Sequence, residues 1–360
     1  METISGMGEN NEWLTIVRFT KKMRRILLAL CILLFGCSDK KEFRLQQLLL
    51  KGNLSLEENN TQQAANYFNA ALKIEPCFAD ALNNLGTISF RQNLFEEAIN
   101  YYNKAIACDA KFLPAYFNRA NTYYELKQYF NAQEDVNKVI AAKPDTAIAY
   151  FLQGLLFTKM RDFPQALRAF NKALTLDGSN VEYLVNRGTV KYYMRQLDDA
   201  ESDLRKAEAL DPKESNIYNT LSMIEINRGD YDKALTLVEK ALNLSPNQPY
   251  YLNNRGFVLL MKSDQASALK DIDRSILMDA DNGWAYRNKG IYYLNTGDTE
   301  NAIRMLKQAQ SMDNFIDGIH FYLGSAYMKN KQKKEACEQF RLSEKASEMM
   351  VTKEQLSVCR

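Results

Sequence analysis

Cysteine and histidine are the residues of this sequence best suited to bond-making chemistry, and they are few. The 360 residues include six cysteines and one histidine, His320. No two cysteines have the close CxxC spacing of a zinc site, so we expect no bound metal and no other cofactor. A nucleophilic triad would have to use His320, which we expect to be a surface or groove residue. The sequence also has no glycine-rich phosphate loop, and it therefore predicts a protein that is not an enzyme.

One cysteine, Cys37, follows a segment with the composition of a secretory signal. Residues 21–25 are mainly basic, residues 26–35 are apolar, and Gly36 precedes the cysteine. The apolar run is shorter than the ~20 residues that a membrane-spanning helix needs. The residues Leu34-Phe35-Gly36-Cys37 resemble the lipobox of bacterial lipoproteins, with Phe35 in place of the usual smaller residue.

The lipobox resemblance implies that residues 1–36 are a signal peptide and that Cys37 is the site of lipid attachment. Residues 37–44 would then be a lipid-anchored tether. The protein would lie in the bacterial cell envelope, with its bulk in the periplasm or at the cell surface. Ser38 after the cysteine resembles lipoproteins sent to the outer membrane rather than those kept in the inner one. The alternative is an uncleaved signal anchor or a buried amphipathic cap.

The start of the chain carries a second expectation. Met23 begins a signal of ordinary length, whereas the residues before it add a polar segment that no signal requires. We therefore expect Met23, or else Met7, to be the true start.

The charge of the chain is nearly balanced. The formal net charge is +2, and residues 1–36 hold five basic and three acidic residues, so the remainder is neutral. A neutral chain has no general attraction to nucleic acid or to anionic lipid, and no nucleic-acid partner is expected.

The sequence after residue 44 repeats every 34 residues. Nine alanines recur at this spacing without insertion or deletion: Ala64, Ala98, Ala132, Ala166, Ala200, Ala234, Ala268, Ala302 and Ala336. A fixed period of this size indicates a repeat array. Counting Leu45 as position 1 of repeat 1, the alanines occupy position 20, position 8 is small, and position 24 is large and apolar. Small residues allow two helices to approach closely, and the large residue fills the space beside them.

These features resemble the tetratricopeptide repeat (TPR) family over residues 45–350. The resemblance implies an all-α fold, a right-handed α-solenoid (superhelix) of nine 34-residue helical hairpins, with the first helix of each hairpin lining a concave groove. Residues 351–360 would form a short capping helix or a frayed tail.

Position 6 of the repeats supplies asparagines to the expected groove. In some TPR superhelices, asparagines at this place form a ladder that hydrogen-bonds an extended peptide backbone, because an amide both donates and accepts. Aromatic residues at position 2 would add apolar anchors. The predicted peptide-binding residues are Asn84, Asn118, Asn186, Asn254, Asn288, Tyr250 and Trp284.

Two further predictions concern charged and sulfur-containing side chains. The cations that follow the groove asparagines, at position 7, are expected to pair locally with acids rather than to form a basic row. Cys77 and Cys108 fall near the ends of adjacent second helices, where they would either form a disulfide in an oxidising envelope or remain thiols.

The resulting hypothesis is an interaction scaffold of the bacterial cell envelope that binds a peptide segment of a partner protein. The alternatives are a self-assembling structural protein, which would form a homo-oligomer, and a regulatory subunit of an envelope enzyme or secretion complex.

Overall fold

The computed structural model describes residues 40–346 together with residues 348, 356 and 359. These residues form eighteen α-helices and contain no strand. The helices are α1 (Lys40–Glu57), α2 (Thr61–Ile74), α3 (Ala79–Arg91), α4 (Phe95–Cys108), α5 (Leu113–Glu125), α6 (Tyr129–Ala142), α7 (Ala147–Lys159), α8 (Phe163–Leu176), α9 (Val181–Tyr193), α10 (Leu197–Leu210), α11 (Ser215–Arg228), α12 (Tyr231–Leu244), α13 (Pro249–Met261), α14 (Gln265–Met278), α15 (Gly283–Thr296), α16 (Thr299–Met312), α17 (Ile319–Lys329) and α18 (Lys333–Lys345).

Consecutive helices pair into hairpins that match the predicted repeats, so the all-α class and the array of helical hairpins are confirmed. Odd-numbered helices are the first helices of the repeats, and even-numbered helices are the second. The first hairpin is longer than predicted, because α1 begins at Lys40 and takes in residues 40–44 of the expected tether. The signal segment and Cys37 lie outside the described residues.

The described residues divide into two compact units. The N-terminal unit contains residues 40–183, and the C-terminal unit begins at Leu184. The C-terminal unit has an apolar core of buried residues from α13 to α18, and Leu356 and Cys359 pack against it. These two residues are the only described part of the predicted capping segment 351–360.

The turn between the two helices of every hairpin has a left-handed residue at position 15. Its φ angle lies between 58° and 88° in all nine repeats. The residues are Asn59, Asn93, Lys127, Arg161, Arg195, Gly229, Ser263, Gly297 and Lys331. Only two are glycines, although the left-handed region favours glycine, so the sequence carries little signal for this turn.

The next residue, at position 16, directly precedes the second helix as its N-cap. In five repeats it is aspartate or asparagine, and its side chain accepts a hydrogen bond from the backbone N–H three residues later. This bond satisfies one of the N–H groups that have no partner within the helix. These capping residues are Asn60, Asp162, Asp230, Asp264 and Asp298.

Position 8 of the first helix packs directly against position 24 of the second helix. The nine alanines of position 20 have no exposed surface, and the large residues of position 24 are at most 1% exposed. A Cβ atom added to Gly154 would lie 2.5 Å from the ring of Phe170, closer than a real contact allows. The glycine is therefore required by the ring above it, not by its own backbone conformation.

The residues at positions 8 and 24 vary together in size. Repeats 3 and 6 lack the glycine and carry Ala120 and Ser222, and these two repeats have valine, Val136 and Val238, at position 24. The seven repeats with glycine carry phenylalanine, tyrosine, leucine or isoleucine there. A larger residue at position 8 is thus accompanied by a smaller one at position 24, as close packing demands.

Two disulfides are present among the described residues. Cys77, which follows α2, is bonded to Cys108, the last residue of α4, with 5.2 Å between their Cα atoms. Cys337 of α18 is bonded to Cys359, with a Cα–Cα distance of 5.4 Å. Of the two states left open for Cys77 and Cys108, the structure has the bonded one.

Glu348 closes the C-terminal end of the array. Its carboxylate accepts hydrogen bonds from the backbone N–H groups of His320 and Phe321, at 3.4 Å and 2.9 Å, and from the Ser343 hydroxyl at 2.6 Å. A carboxylate at the N-terminus of α17 satisfies N–H groups and interacts favourably with the helix dipole.

The size match between positions 8 and 24 predicts a compensating pair of substitutions. Gly154→Ala should overpack the contact with Phe170 and cost about 1–3 kcal/mol of unfolding free energy. In a Phe170→Val background the same change should cost little, because it recreates the Ala120 and Val136 pair of repeat 3. The coupling, measured by urea denaturation, should exceed ~0.5 kcal/mol.

The control for this pair is Gly178→Ala, where the added Cβ meets only a backbone oxygen at 3.5 Å. It should show no coupling to Phe170→Val. Additive costs for Gly154→Ala and Phe170→Val would contradict the proposed contact.

Candidate functional site

The five predicted groove asparagines differ in how much surface they expose. Asn84, Asn118 and Asn254 are half-buried, Asn186 is 5% exposed, and Asn288 has no exposed surface. Asn288 therefore presents no surface to a peptide in this structure, and its place in the peptide-binding set stays a prediction.

The asparagine amides are engaged with other asparagines of the protein. The side-chain nitrogens of Asn118, Asn254 and Asn288 donate to the amide oxygens of Asn83, Asn219 and Asn253, at 2.9, 2.8 and 2.8 Å. Each bond joins position 6 of one repeat to position 5 of the repeat before it. Asn84 also bonds the repeat before it, but its partner is Asn53 at position 9, at 2.9 Å, because position 5 of repeat 1 is leucine. The ladder therefore fastens neighbouring first helices to one another.

A cleft of about 290 Å³ lies in the C-terminal unit, lined mainly by the first helices α9, α11, α13, α15 and α17. It brings together three of the predicted peptide-binding residues, Tyr250, Asn254 and Trp284. Asn84, Asn118, Asn186 and Asn288 do not line it. Trp284 is half-buried and Tyr250 is 8% exposed.

The wall of the cleft is aromatic, with amide groups between the rings. Tyrosines of α9, α12, α13 and α17 surround Phe257 and Trp284, and Asn227, Asn253 and Asn254 supply donors and acceptors. Rigid aromatic surface beside a few polar groups is the usual composition of a binding site.

An ion pair closes one side of the cleft. A guanidinium nitrogen of Arg195, in the turn of repeat 5, lies 2.9 Å from a carboxylate oxygen of Asp317, at the start of repeat 9. The side chains are 56% and 48% exposed. An exposed pair of this kind contributes only ~0–1 kcal/mol, so it can open at little cost.

Arg287 is the buried charge of the cleft. The residue is 7% exposed, and its guanidinium lies 4.7 Å from the ring centre of Trp284 and 4.9 Å from that of Phe257. Its Nε and Nη2 atoms donate to the Asn288 amide oxygen at 3.0 Å and 2.8 Å. Its Nη1 atom donates to the backbone oxygen of Asp317 at 2.7 Å. The buried Asn288 thus holds the arginine in place.

No carboxylate among the described residues pairs with Arg287. Burial lowers the pKa of the Arg287 guanidinium from its ordinary value, while Tyr322, Asp317 and Glu348 act in the opposite direction. A guanidinium stays protonated in proteins, so a positive charge is held away from water. Such a charge is costly without a counter-ion, and unpaired charges of this kind concentrate at functional sites.

The cations of position 7 contrast with Arg287. Arg119, Arg187 and Arg255 each pair with an aspartate of the second helix in their own repeat, at 2.6–2.7 Å. Lys289 pairs with Asp273 at 2.8 Å. The aspartates of the three arginine pairs, Asp135, Asp203 and Asp271, are buried. The prediction of local pairing is confirmed.

Arg287 did not emerge from the sequence as a site residue, although a signal was present. Position 5 holds leucine, valine, phenylalanine or asparagine in the other eight repeats, and Arg287 is its only charged residue. This departure from the repeat pattern, at a position that lines the cleft, was the feature that could have identified Arg287 from the sequence.

His320 lies in a different place from the one expected. It is 7% exposed, and its ring nitrogen Nδ1 is 2.8 Å from the side-chain oxygen of Gln339. The described residues contain no group of three histidine, cysteine or acidic residues placed to hold a metal ion. None of the helices in the described part of the chain is long and apolar enough to cross a membrane.

Sequence models of the tetratricopeptide repeat match this chain at several places. The matched residues are 49–111, 101–134, 147–180, 192–253 and 285–315. Together they span more than half of the 360 residues. No curated protein matches the chain.

Solved structures with the same fold include the Cut9–Hcn1 hetero-tetramer of APC/C. The TM-score is 0.61 at 18% identity, over 89% of this chain and 63% of that one, so this chain spans less than two thirds of its length. PilW, a widely conserved type IV pilus biogenesis factor, has a TM-score of 0.50 at 20% identity, over 55% of this chain and 92% of its own. At these identities the likeness shows the fold alone.

The pair of Arg187 and Asp203 predicts how stability depends on pH. Burial alone would raise the pKa of Asp203, but hydrogen bonds and charges from Arg187 and Lys191 outweigh it and lower the pKa. Because the Asp203 pKa is lower in the folded state than in the unfolded state, its carboxylate stabilises the fold at pH values above the unfolded-state pKa. This contribution is lost as the pH falls from about 5 through the folded pKa.

Asp203→Asn should therefore cost about 3–5 kcal/mol at pH 7, because it leaves Arg187 and Lys191 without their carboxylate. It should also flatten the decline in stability below pH 5, measured by urea denaturation at several pH values. Asp199→Asn, an exposed change on the same helix, is the control. An unchanged acid slope in Asp203→Asn would contradict the assignment.

Proposed function

Because the chain belongs to the tetratricopeptide repeat family, we propose that it is a non-enzymatic scaffold whose C-terminal cleft holds a peptide segment of a partner protein. Repeats of this family form protein-interaction surfaces, and members are typically not catalysts. The observation that carries the proposal is the cleft itself, where Tyr250, Asn254 and Trp284 meet beside Arg287.

The composition of the cleft favours a peptide segment as its occupant. Aromatic rings provide rigid apolar surface that loses little conformational entropy when a ligand binds. Both N–H groups of the Asn227 amide are bonded within the chain, to Tyr192 and Met223, and one N–H of Asn254 is bonded to Asn219. The second N–H of Asn254 and the remaining lone pairs of the two amide oxygens can bond a peptide backbone. The lining comes from successive first helices, so an occupant would contact several repeats in turn.

We place this scaffold in the bacterial cell envelope, anchored through lipid on Cys37, with the outer membrane as the expected site. Two observations support this placement. The residues before Cys37 resemble a lipobox, and two or three acyl chains would hold the protein stably, at ~0.8 kcal/mol for each buried CH₂ group. The disulfides of Cys77 with Cys108 and of Cys337 with Cys359 suit an oxidising compartment.

Photo-crosslinking tests the cleft as the partner-binding surface. A photoreactive phenylalanine analogue placed at Tyr250 or at Trp284 should yield covalent adducts with a partner protein when intact cells are irradiated. The same analogue at Leu277, which is 86% exposed on α14 and outside the cleft, is the matched control. Mass spectrometry identifies the adducts.

Adducts from Leu277 alone, or from none of the three positions, would rule out the cleft. An adduct of twice the mass of the chain, formed from Tyr250 and Trp284, would assign the cleft to self-assembly in place of a different partner.

Fatty-acid labelling tests the anchor. Cells grown with a radioactive fatty acid should label the wild-type protein, and Cys37→Ser should abolish the label because the acceptor thiol is gone. Cys31→Ser, a change within the apolar run, should retain it. Label that persists in Cys37→Ser, or is absent from the wild type, would end the lipoprotein assignment.

A further inference from the structure

We propose that Arg287 binds a carboxylate of the partner segment, so that the cleft selects acidic peptides or free chain ends. This inference rests on the proposed function and adds the chemistry of the ligand to it. The occupant is a peptide segment that places one carboxylate at the guanidinium, between the aromatic rings.

The charge of the cleft favours an anion. Of the residues that line it, only Arg195, Arg287 and Asp317 are charged, which gives a net charge of +1. Asp317 is paired with Arg195, and Glu348 caps α17, so neither acid is available to Arg287. Residues 37–360, which include the cleft, have no net charge, so the positive charge of the cleft is local.

The guanidinium still has hydrogen-bonding capacity. It carries five N–H groups, and three bonds to Asn288 and Asp317 are formed. Two N–H groups, one on each terminal nitrogen, are left for a ligand. A carboxylate, with two oxygen acceptors, matches two N–H groups of one guanidinium.

The surroundings of Arg287 would strengthen such a bond. Trp284 and Phe257 lie within 5 Å of the guanidinium and exclude water from it. A charge-assisted hydrogen bond gains strength where water is excluded, provided that both charges are paired. The bound carboxylate would supply the counter-ion that Asp135, Asp203 and Asp271 supply to the arginines of position 7.

Selection from a peptide library tests this inference. The probe is a library of random acetylated dodecapeptides, one half with amidated and one half with free C-termini, presented to the full-length protein. The wild type should enrich peptides that have an acidic residue at a fixed distance from aromatic residues, or peptides with free C-termini. The first result assigns a side-chain carboxylate, and the second assigns the chain end.

Arg287→Gln should still select aromatic peptides but should lose the preference for a carboxylate. Arg274→Gln, which changes an exposed arginine of α14 outside the cleft, is the control and should select as the wild type does. Peptides enriched by the wild type without any carboxylate preference would overturn this inference and leave the proposed function standing. No enrichment by the wild type would overturn both.

A second measurement does not require a stable Arg287 variant. In the best enriched peptide, replacement of its carboxylate by an amide should weaken binding to the wild type about tenfold or more. Trp284 would report binding through its fluorescence in a Trp13→Phe background, since the sequence has only two tryptophans. An affinity that changes less than twofold would contradict the inference.

Discussion

The close approach of two helices within each hairpin is the constraint on which the structure depends. Position 8 must be small because the side chain of position 24 lies directly against it, as Gly154 and Phe170 show. This contact fixes the distance and rotation of the pair, and an inserted residue in either helix would move one partner off the other. The unbroken 34-residue spacing of the nine alanines follows from the same contact. Only the residues away from it are free to specialise.

The polar groups inside the structure divide into those that are satisfied internally and those that are not. The arginine–aspartate pairs of position 7 and the asparagine bonds between first helices use donors and acceptors of the chain itself. The arginine–aspartate pairs join the two helices of one hairpin, and the asparagine bonds join the first helices of neighbouring hairpins. Arg287 differs, because its charge is buried and no carboxylate in the described part of the chain pairs with it. Arg287 and the arginines of position 7 are the same residue type. They differ only in whether a carboxylate of the chain pairs with the guanidinium.

The periodic part of the fold could be predicted from the sequence. Side-chain contacts between different repeats could not. The hairpins followed from residues such as Ala98 and Gly86, whose sizes are dictated locally. The full burial of Asn288 was not predicted, because the bond between its amide and Asn253 crosses from one repeat to the next. The disulfide of Cys77 and Cys108 stayed open for a similar reason, since spacing along the chain does not measure distance. Tyr250, Asn254 and Trp284 line one cleft, which their positions at the start of first helices allowed the sequence to anticipate; their contact with a peptide stays a prediction.

The bond between Cys77 and Cys108 has a mechanical consequence. It joins the segment after α2 to the end of α4, and so ties the first two hairpins together covalently. Tension applied through the N-terminal end of the array would meet this link before it reached the later hairpins. Residues 77–108 could not be extended by such a pull, because the disulfide closes them into a loop. The second hairpin, α3 and α4, is thereby protected from stretching, because the force passes through the disulfide bond instead of through residues 77–108.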